Sequence, residues 1–357
     1  MKILRTILMI FNVLAAIGLV LTTLAGTTAP SRGMLLNLLA FAYLPMLALN
    51  LLLVLIWLAA GRWQFLISVA AIAARWSFVG LYFQVGGTSK VPDRDAHPQM
   101  VTVMTYNVHL FRGGGETATP SDSNAAEFLK LVRHAGTPDV LCLQEYGQPK
   151  TLALTDSLTL MGYNHYYGVN TSKTGLPYGT VVFSRMPITY VNRIDSEKLL
   201  VDIMHPGGER FRVCCLHMES YRFDDADRRE IERMRHGDVD STSHRTLAKV
   251  KQTITSHQTE WEEHLKAVVT ESTLPLVVAG DLNDIPSSWL YSQLTSTLRD
   301  TYCEQGFGFA TTYNGGFPKY RIDMVLHGDG FRTLSYKRIK SDLSDHYPVL
   351  TALELEK

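Results

Sequence analysis

The sequence predicts an α+β fold in which two packed β-sheets are flanked by helices and preceded by a group of apolar helices. Two observations support this prediction. From residue 100 onward, short runs rich in β-branched residues follow one another with only occasional helical patterns between them, which favours packed sheets. Before residue 88, apolar stretches are long enough to cross a lipid bilayer.

Three apolar stretches open the chain, at residues 7–25, 34–60 and 63–83. A helix that crosses a membrane needs about 20 apolar residues, so residues 1–87 are predicted to form an anchor of about three transmembrane helices. The alternative for the first stretch is a signal peptide, because basic residues precede it and small residues follow it. The third carries Arg75 near its middle, which is costly in lipid, so a helix lying in the membrane interface is its alternative.

The basic residues predict the orientation of this anchor. Two of them precede the first stretch and favour a cytoplasmic N-terminus, and Arg62 would also be cytoplasmic. Three crossings then place residues 99–357 outside the cytoplasm, although Lys90 and Arg94 argue against it. Residues 88–98 are polar, contain two prolines and are predicted to be a linker. We therefore expect an integral protein of a bacterial-type inner membrane, with membrane lipid around its N-terminal helices and an extracytoplasmic second domain.

The charge of the second domain narrows its function. The first 95 residues contain seven Lys or Arg and two Asp, out of 34 basic and 34 acidic residues, so the rest holds 27 basic and 32 acidic groups. A formal charge of −5 provides no overall basic surface for displacing counterions from nucleic acid, and leaves only a local patch for such a role.

Cysteine content excludes a disulfide framework, since the chain has only four cysteines. Cys142 and Cys215 lie in apolar strand-like runs and are predicted to be small buried side chains. Cys214 and Cys215 are adjacent, so they should point to opposite faces of one strand. A metal site built on these thiols is not expected.

Local patterns predict the elements of the second domain. The run VTVMTY at 101–106 alternates and predicts a strand, and a helix is predicted over 123–135, with a serine N-cap and Gly136 as its stop. A long helix over 243–270 shows apolar residues at helical spacing. Further strands are predicted at 140–143, 180–183, 212–216, 276–279, 322–326 and 349–355.

Polar side chains recur where the predicted strands end. One such residue is usually a turn former or a helix cap, but a group of them, each beside a buried strand, favours a shared site. Carboxylate and amide oxygens suit a hard cation such as Mg²⁺, and imidazole suits proton transfer. The residues are Asn107, Glu145, His217, Asp281, Asn283, Asp323, Asp345 and His346.

Seven segments carry a more specific signal: MTYN (104–107), LQE (143–145), GTVVFSR (179–185), LHMES (216–220), GDLND (280–284), RIDMV (321–325) and SDHYP (344–348). In this order they resemble the endonuclease/exonuclease/phosphatase superfamily, whose members include DNase I, abasic-site endonucleases, sphingomyelinases and inositol-polyphosphate phosphatases. The resemblance covers nearly all of residues 100–357. It implies a four-layer α/β/β/α sandwich of the DNase I type, with the site at one rim of the two sheets.

The resemblance also implies a metal site and a base. Glu145 and Asp345 would hold a divalent cation, Mg²⁺ or Mn²⁺, with Asn107 close by, and this sparse set suits an ion that keeps several waters. His346 would be the general base that activates water. The carboxylate of Asp323 would orient the imidazole and favour the imidazolium that forms.

Other residues would handle the phosphate. Asp281 and Asn283 would position the nucleophile and bind phosphate, and His217 would stabilise the phosphate or protonate the leaving group. No carboxylate partner for His217 is evident in the sequence. Some relatives carry an acid two residues after the first Asn, where this chain has His109, so a second metal is not expected; His109 is either a substrate contact or a neutral loop residue.

The expected function is a membrane-anchored, Mg²⁺-dependent phosphoester hydrolase of phosphodiesterase or endonuclease type. The substrate is left open between nucleic acid, which fits the start of the domain, and a phospholipid or small phosphoester, which fits the tether and the acidic charge. A small-molecule phosphatase and a sphingomyelinase-like enzyme are the alternatives. A non-enzymatic binding module that reuses the fold is disfavoured because the acids and the base are present. No protein partner is predicted.

Three further segments have two interpretations each. Residues 221–244 are dense in charge and form either a solvated connection or an insert that gates substrate and faces lipid. The histidines in helix patterns, His134, His257 and His264, are expected at the surface or partly buried. Aromatic residues interleaved with glycines precede RIDMV and either pack in the core or bind a base or headgroup: Phe307, Phe309, Tyr313, Phe317 and Tyr320.

Overall fold

Two six-stranded sheets lie face to face in the computed structural model of this chain, which describes residues 2–112, 121–147, 153–235, 241–315 and 319–356. Phe317, predicted to belong to the aromatic loop, lies outside the described residues. In spatial order, the first sheet consists of β13 (Phe331–Arg338), β14 (Val349–Leu355), β2 (Met100–Asn107), β3 (Val140–Tyr146), β5 (Pro177–Ser184) and β4 (His165–Thr171). The second consists of β10 (Arg299–Asp300), β12 (Asp323–His327), β9 (Leu276–Asp281), β8 (Arg210–His217), β7 (Lys198–Met204) and β6 (Ile188–Arg193).

Helices cover the outer face of each sheet. On the first sheet, α6 (Asp122–His134) and α7 (Leu154–Leu160) bury their apolar stripes against β2, β3 and β5. The second sheet is covered by α10 (Lys266–Thr270), α11 (Trp289–Leu294) and the π-helical turn Trp261–Leu265 that joins α10 to α9 (Ser241–Glu260). The remaining helices of this domain are α8 (Asp225–Arg235) and α12 (Thr301–Gln305). The predicted four-layer α/β/β/α sandwich is therefore confirmed.

The helix predicted over 123–135 forms as α6, but its N-cap is Ser121 and not Ser123, the serine at which the predicted helix began. The Ser121 side chain accepts hydrogen bonds from the backbone N–H groups of Ser123 and Asn124. Phe128 and Val132 are buried one turn apart on the face that contacts the sheet. Gly136, with φ of 83°, follows the last turn. The predicted helix over 243–270 is not uniform, because the chain widens into the π-helical turn.

A core of small and β-branched side chains fills the space between the sheets. Val103 and Cys142 of the first sheet meet Val201, Cys215 and Val325 of the second in one buried cluster. Cys214 points the other way, into the cluster beneath the outer helices. The two adjacent cysteines thus lie on opposite faces of β8, as a side-chain period of two requires.

Strand direction brings the site residues to one rim. Within each sheet one central pair is parallel, β2 with β3 and β8 with β9. The register pairs His217 with Asp281, and Asp323 with Asp281 across the antiparallel β9–β12 ladder. Asn107 closes β2 opposite Gln144. The last residues of β2, β8 and β9 and the first residue of β12 therefore share one edge of the sandwich.

The N-terminal part is a helical bundle with a polar interior. It comprises α1 (Lys2–Thr22), α2 (Pro30–Leu39), α3 (Tyr43–Ala59), α4 (Phe65–Ala74) and α5 (Trp76–Gly80). Asn12 donates to the carbonyl of Gln64 (2.9 Å) and accepts from Ser68 (2.7 Å), and Asn50 donates to the carbonyl of Ala15 (3.0 Å). Large apolar side chains cover the outside: Ile3, Leu4, Ile7, Leu14, Leu51, Leu52, Leu55 and Leu58.

The third apolar stretch, 63–83, is not the single helix that its length predicted. It breaks at Arg75, which lies between α4 and α5, donates to the carbonyl of Thr23 (3.2 Å) and stacks on Phe78. The carbonyl of Gln64, just before α4, accepts a hydrogen bond from Asn12 in the middle of α1. The stretch therefore runs alongside only the second half of α1. Among the described residues, two helical segments, Lys2–Thr27 and Pro30–Ala59, are long and apolar enough to cross a membrane.

The bundle packs directly on the sandwich. Ala25, after α1, is buried with Ala40 and with Ile285 of the sandwich. The hydroxyls of Tyr82 and Ser287 lie 2.6 Å apart. The short strands β1 (Phe83–Gln84) and β11 (Gly308–Phe309) pair with each other. The predicted linker, 88–98, contains no helix or strand.

A buried ion pair supports this junction. Arg321 contacts the carboxylate of Asp300 at 2.8 Å, stacks on Tyr302 with 4.5 Å between guanidinium and ring centre, and donates to the carbonyl of Leu81 (3.2 Å). Both charged side chains are fully buried. Burial alone would lower the pKa of the guanidinium, but the charge of Asp300 raises it well above its usual value. The pair therefore fixes the end of the bundle to the strand that carries Asp323.

Replacing Asp300 with Asn should destabilise the protein by about 3–5 kcal/mol, because the Arg321 charge would stay buried without a counter-charge. Chemical unfolding of the full chain in detergent measures the change. Asp329→Asn is the control, since the Asp329 carboxylate is fully exposed. Equal stability of the two variants would contradict the role given to the ion pair.

Candidate active site

One amide joins the two sheets at the rim. The side-chain Nδ2 of Asn107 donates to Oε1 of Glu145, on the neighbouring strand of its own sheet, at 3.1 Å. It also donates to Oδ2 of Asp281, on the facing sheet, at 3.1 Å. Its Oδ1 accepts from the backbone N–H of His109 at 3.0 Å. The buried side chain of Asn107 thus holds three other predicted site residues: Glu145, Asp281 and His109.

Asn283 completes a tight turn after β9. Its φ is 47°, a left-handed conformation that Asn tolerates better than most residues. Its backbone N–H donates to Oδ1 of Asp281 (2.8 Å), and its side chain donates to the carbonyl of Met218 (2.9 Å). The turn therefore places the Asn283 side chain beside the end of β8, where His217 lies.

His346 and Asp323 form a buried pair. Nδ1 of His346 lies 2.9 and 3.1 Å from the two carboxylate oxygens of Asp323, while Nε2 faces Oδ2 of Asp281 at 3.7 Å. The backbone N–H of Asp323 donates to Oγ1 of Thr312 (3.0 Å), and the backbone N–H of His346 donates to Oγ of Ser344 (3.1 Å). Both partners are therefore held from behind, and Nε2 is the ring atom that points into the site.

The charges of this pair shift the pKa values of the site. Burial opposes the charge on His346, but the carboxylates of Asp323 and Asp281 outweigh it and raise the pKa of the imidazole to about 10. Burial raises the pKa of Asp281 to about 6, although His346 opposes the shift. In the metal-free protein these carboxylates therefore favour the protonated ring of His346.

His217 has a carboxylate partner that sequence reasoning missed. Its Nδ1 lies 3.4 Å from Oε2 of Glu197, and its Nε2 lies 3.8 Å from Glu145 and 3.9 Å from Asp281. Burial lowers the pKa of His217, but the hydrogen bond to Glu197 and the two other carboxylates raise it overall. Glu197 directly precedes β7, which pairs with β8, so only the strand register, with Lys198 opposite Leu216, reveals this contact.

His109 and Asp345 complete the rim. Nδ1 of His109 lies 3.5 Å from Oδ1 of Asp345, and Oγ of Ser344 lies 3.3 Å from the same oxygen. His109, Leu110 and Phe111 all have positive φ, between 44° and 57°. Such backbone strain in three successive residues needs strong support from neighbouring structure and is typical of functional loops.

His257 corrects another prediction. The helix pattern suggested a side chain at or near the surface, but the ring is buried, with Nδ1 3.2 Å from Asp284 and Nε2 2.8 Å from the carbonyl of Glu219. Burial opposes the charge, yet Asp284 raises its pKa. His257 thus holds the loops that follow β8 and β9.

One group of donor atoms at this rim lies close enough together to hold a metal ion, and it differs from the predicted ligand set. Asp281, Asp323 and His346 each offer an atom within 4.8 Å of the other two, and this buried group can hold a metal. The predicted ligands Glu145 and Asp345 lie outside that group and are more exposed. Because Nδ1 of His346 faces Asp323, a metal on Nε2 would occupy the lone pair that a base needs. A metal held by Asp281, Asp323 and His346 would therefore prevent His346 from acting as a base. A metal held by Glu145 and Asp345 would not.

Comparison with known proteins assigns the chain to a family. The profile of the endonuclease/exonuclease/phosphatase family matches residues 104–346, more than half of the chain, and the protein belongs to this family. Members of the family are phosphoester hydrolases. A second profile, described as a domain of unknown function, matches residues 5–82. No match is found among curated proteins.

Several solved structures are similar to the chain. An endonuclease/exonuclease/phosphatase from Beutenbergia cavernae DSM 12333 is 20% identical, with 72% of each chain covered and a TM-score of 0.48. A mannosyl-6-phosphatase from Bacteroides thetaiotaomicron VPI-5482 is 17% identical, covering 71% of this chain and 99% of the other, with a TM-score of 0.46. The human Nocturnin catalytic domain with bound sulfate is 16% identical, covering 75% and 100%, with a TM-score of 0.46.

Replacing Asp323 with Asn should lower the pKa of His346 in the metal-free protein, because the nearest negative charge is lost while the ring stays buried. The pKa of His346 in the folded protein exceeds its value of about 6.5 in the unfolded chain. The charged ring therefore stabilises the folded state fully below about pH 6.5, and this stabilisation is lost as the pH rises toward 10. NMR titration of labelled histidine measures the midpoint. Asp329→Asn should leave it unchanged, and an unmoved midpoint in Asp323→Asn would refute the pair.

Proposed function

We propose that this protein is a membrane-anchored, divalent-metal-dependent phosphoester hydrolase in which His346 activates water. The observation that carries the proposal is the pair of contacts at His346, where Asp323 holds Nδ1 and leaves Nε2 facing the carboxylate of Asp281. A base arranged in this way has its tautomer fixed by one neighbour and its reactive nitrogen open to water.

Glu145 and Asp345, with Asn107 beside them, would hold Mg²⁺ or Mn²⁺. Their oxygens are the donors that such ions prefer, and their partial exposure leaves room for metal-bound waters. A bound dication supplies positive charge, which neutralises a phosphate oxygen and lowers the pKa of the nearby imidazole. This assignment leaves Nε2 of His346 with its lone pair, which the alternative ligand group would not.

The other residues of the site would orient the attacking water or bind the phosphate. Asp281, held by Asn107 and by the N–H of Asn283, would position the attacking water next to Nε2 of His346. Asn283 and His217 would contact the phosphate. Glu197, Asp281 and Glu145 raise the pKa of His217 and so favour its protonated ring, the form that stabilises phosphate charge or donates a proton to the leaving group.

The distribution of polarity in the bundle supports anchoring in a membrane. Its interior contains hydrogen-bonded Asn12, Asn50 and Ser68, whereas its outer surface is apolar, the reverse of a water-soluble bundle. The sandwich packs against Ala25, at the end of α1 remote from Lys2. If Lys2 is cytoplasmic, the catalytic domain is extracytoplasmic.

Glu145→Gln should reduce kcat/KM by roughly 100-fold or more, because a dication held by few carboxylates loses one of them. Activity of the unmodified protein should vanish in EDTA and return with Mg²⁺ or Mn²⁺. Glu127→Gln, at an exposed position on α6, is the control. Full turnover by the unmodified protein in excess EDTA would eliminate the metal assignment.

His346→Ala should lower kcat by about 10²–10⁴-fold, as expected for loss of a general base. Asp323→Asn should lose less and should move the acidic limb of the pH–rate profile to lower pH, because the ring loses its proton more easily. Melting temperatures measured beside the profile distinguish catalysis from packing. An unmoved limb together with a lower melting temperature would indicate that Asp323 only supports the fold.

The topology can be tested by labelling. A cysteine introduced at Leu160, an exposed position on α7, should react with a membrane-impermeant maleimide in intact cells or spheroplasts. The native cysteines Cys142, Cys214 and Cys215 are buried, and the partly exposed Cys303 is replaced by serine to remove background labelling. Reaction only after lysis would show that the catalytic domain is cytoplasmic.

A further inference from the structure

Four large apolar side chains are exposed together where the sandwich meets the bundle. Phe83 is 42% exposed, Val85 72%, Phe307 74% and Phe309 64%. Strands β1 and β11 pair Phe83 with Phe309, and the centres of these two rings are 5.0 Å apart. We name these four residues the apolar ribbon. Contiguous exposed apolar surface of this kind marks a place where another apolar surface binds.

The apolar ribbon continues the outer surface of the anchor. Phe83 follows Tyr82, which is buried against Tyr43 at the start of α3. Trp76, on α5, is also largely exposed. Aromatic side chains concentrate where transmembrane helices leave the hydrocarbon for water. The partner that this continuity supports is therefore the lipid surface that surrounds the anchor.

The apolar ribbon also leads directly into the catalytic rim. Thr312 lies three residues after Phe309, and its Oγ1 accepts from the backbone N–H groups of Ile322 and Asp323. Tyr313 follows and meets His346 edge to face, with 5.3 Å between the ring centres. Three extended residues span only about 10 Å. A surface that binds lipid is thus one short segment away from the base.

A basic side chain also lies at this edge, beside Tyr313. The guanidinium of Arg228, on α8, lies 5.9 Å from the ring centre of Tyr313. The apolar ribbon, the Tyr313 ring and the imidazole of His346 therefore follow one another toward the rim. An amphiphile with its chains in the bilayer and its phosphate in water presents the same order. Nucleic-acid bases can also stack on aromatic rings, but the apolar ribbon adjoins the apolar helices of the bundle, which favours a lipid.

We propose that the apolar ribbon inserts into the lipid headgroup region and that the substrate is a phosphoester-bearing lipid of the same membrane. Insertion would bring the phosphate of a bilayer lipid to the rim without extracting its acyl chains. The statement about substrate rests on the proposed hydrolase function, whereas the insertion of the apolar ribbon does not. The two parts therefore need separate measurements.

Insertion is measured without activity. The full chain, with the partly exposed Cys303 replaced by serine, is reconstituted in nanodiscs of phosphatidylcholine and phosphatidylglycerol and labelled with NBD at Phe307→Cys or, as the matched control, at Leu160→Cys. Doxyl-labelled lipid should quench the probe at position 307 and leave the probe at position 160 unquenched, because Leu160 is exposed on α7, on the outer face of the first sheet. Equal quenching at both positions, or none at 307, would overturn insertion.

Substrate class is measured with two kinds of ester. Phe307→Ser, Phe309→Ser and the control Leu160→Ser are assayed on fluorescent phosphatidylglycerol and sphingomyelin in nanodiscs, and on water-soluble bis(p-nitrophenyl) phosphate. The two ribbon variants should cleave lipid roughly tenfold more slowly, through loss of apolar burial, and the soluble diester at an unchanged rate. Equal losses on both, or cleavage of the soluble diester alone by the unmodified protein, would overturn the lipid assignment. No cleavage of any ester would instead refute the hydrolase function.

Discussion

The side-chain amide of Asn107 is the contact on which the geometry of the site depends. An amide nitrogen has two N–H donors, and here one goes to Glu145 in the same sheet and the other to Asp281 in the facing sheet. Much of the remaining contact between the two sheets is apolar packing, which has no direction, although the pairing of His346 with Asp323 also crosses between them. The hydrogen bonds of Asn107 therefore fix how the carboxylates at the ends of β3 and β9 stand relative to each other.

With the strand ends fixed in this way, more carboxylates than positively charged side chains lie at the rim. Asp281 and Asp323 are buried on adjacent strands, and His346 contacts both. Burying carboxylates is costly unless positive charge compensates them. His346 and His217 supply part of this charge, which is why the pKa values of both rings are raised. A divalent cation at Glu145 and Asp345 would supply the rest, so the electrostatics of the folded chain favour metal binding at the place where chemistry needs it.

The helical bundle also supports the position of the rim residues. Ser287, six residues after Asp281, contacts Tyr82, and Arg321, two residues before Asp323, contacts the carbonyl of Leu81. The segments that follow Asp281 and precede Asp323 are therefore packed against the helical bundle. The orientation of the rim relative to the bundle is fixed by buried contacts and does not depend on the polar segment 88–98 alone.

The sequence by itself determined seven strands, the helix α6 and the residues that meet at the rim. The alternating and apolar runs, and the motifs around Asn107, Asp281 and His346, were local signals, so the sandwich and its rim residues could be predicted. The pairing of Glu197 with His217, the burial of His257 on Asp284, and the break at Arg75 were not predictable. Each depends on which strand or helix lies alongside, and only the tertiary packing of distant segments decides that.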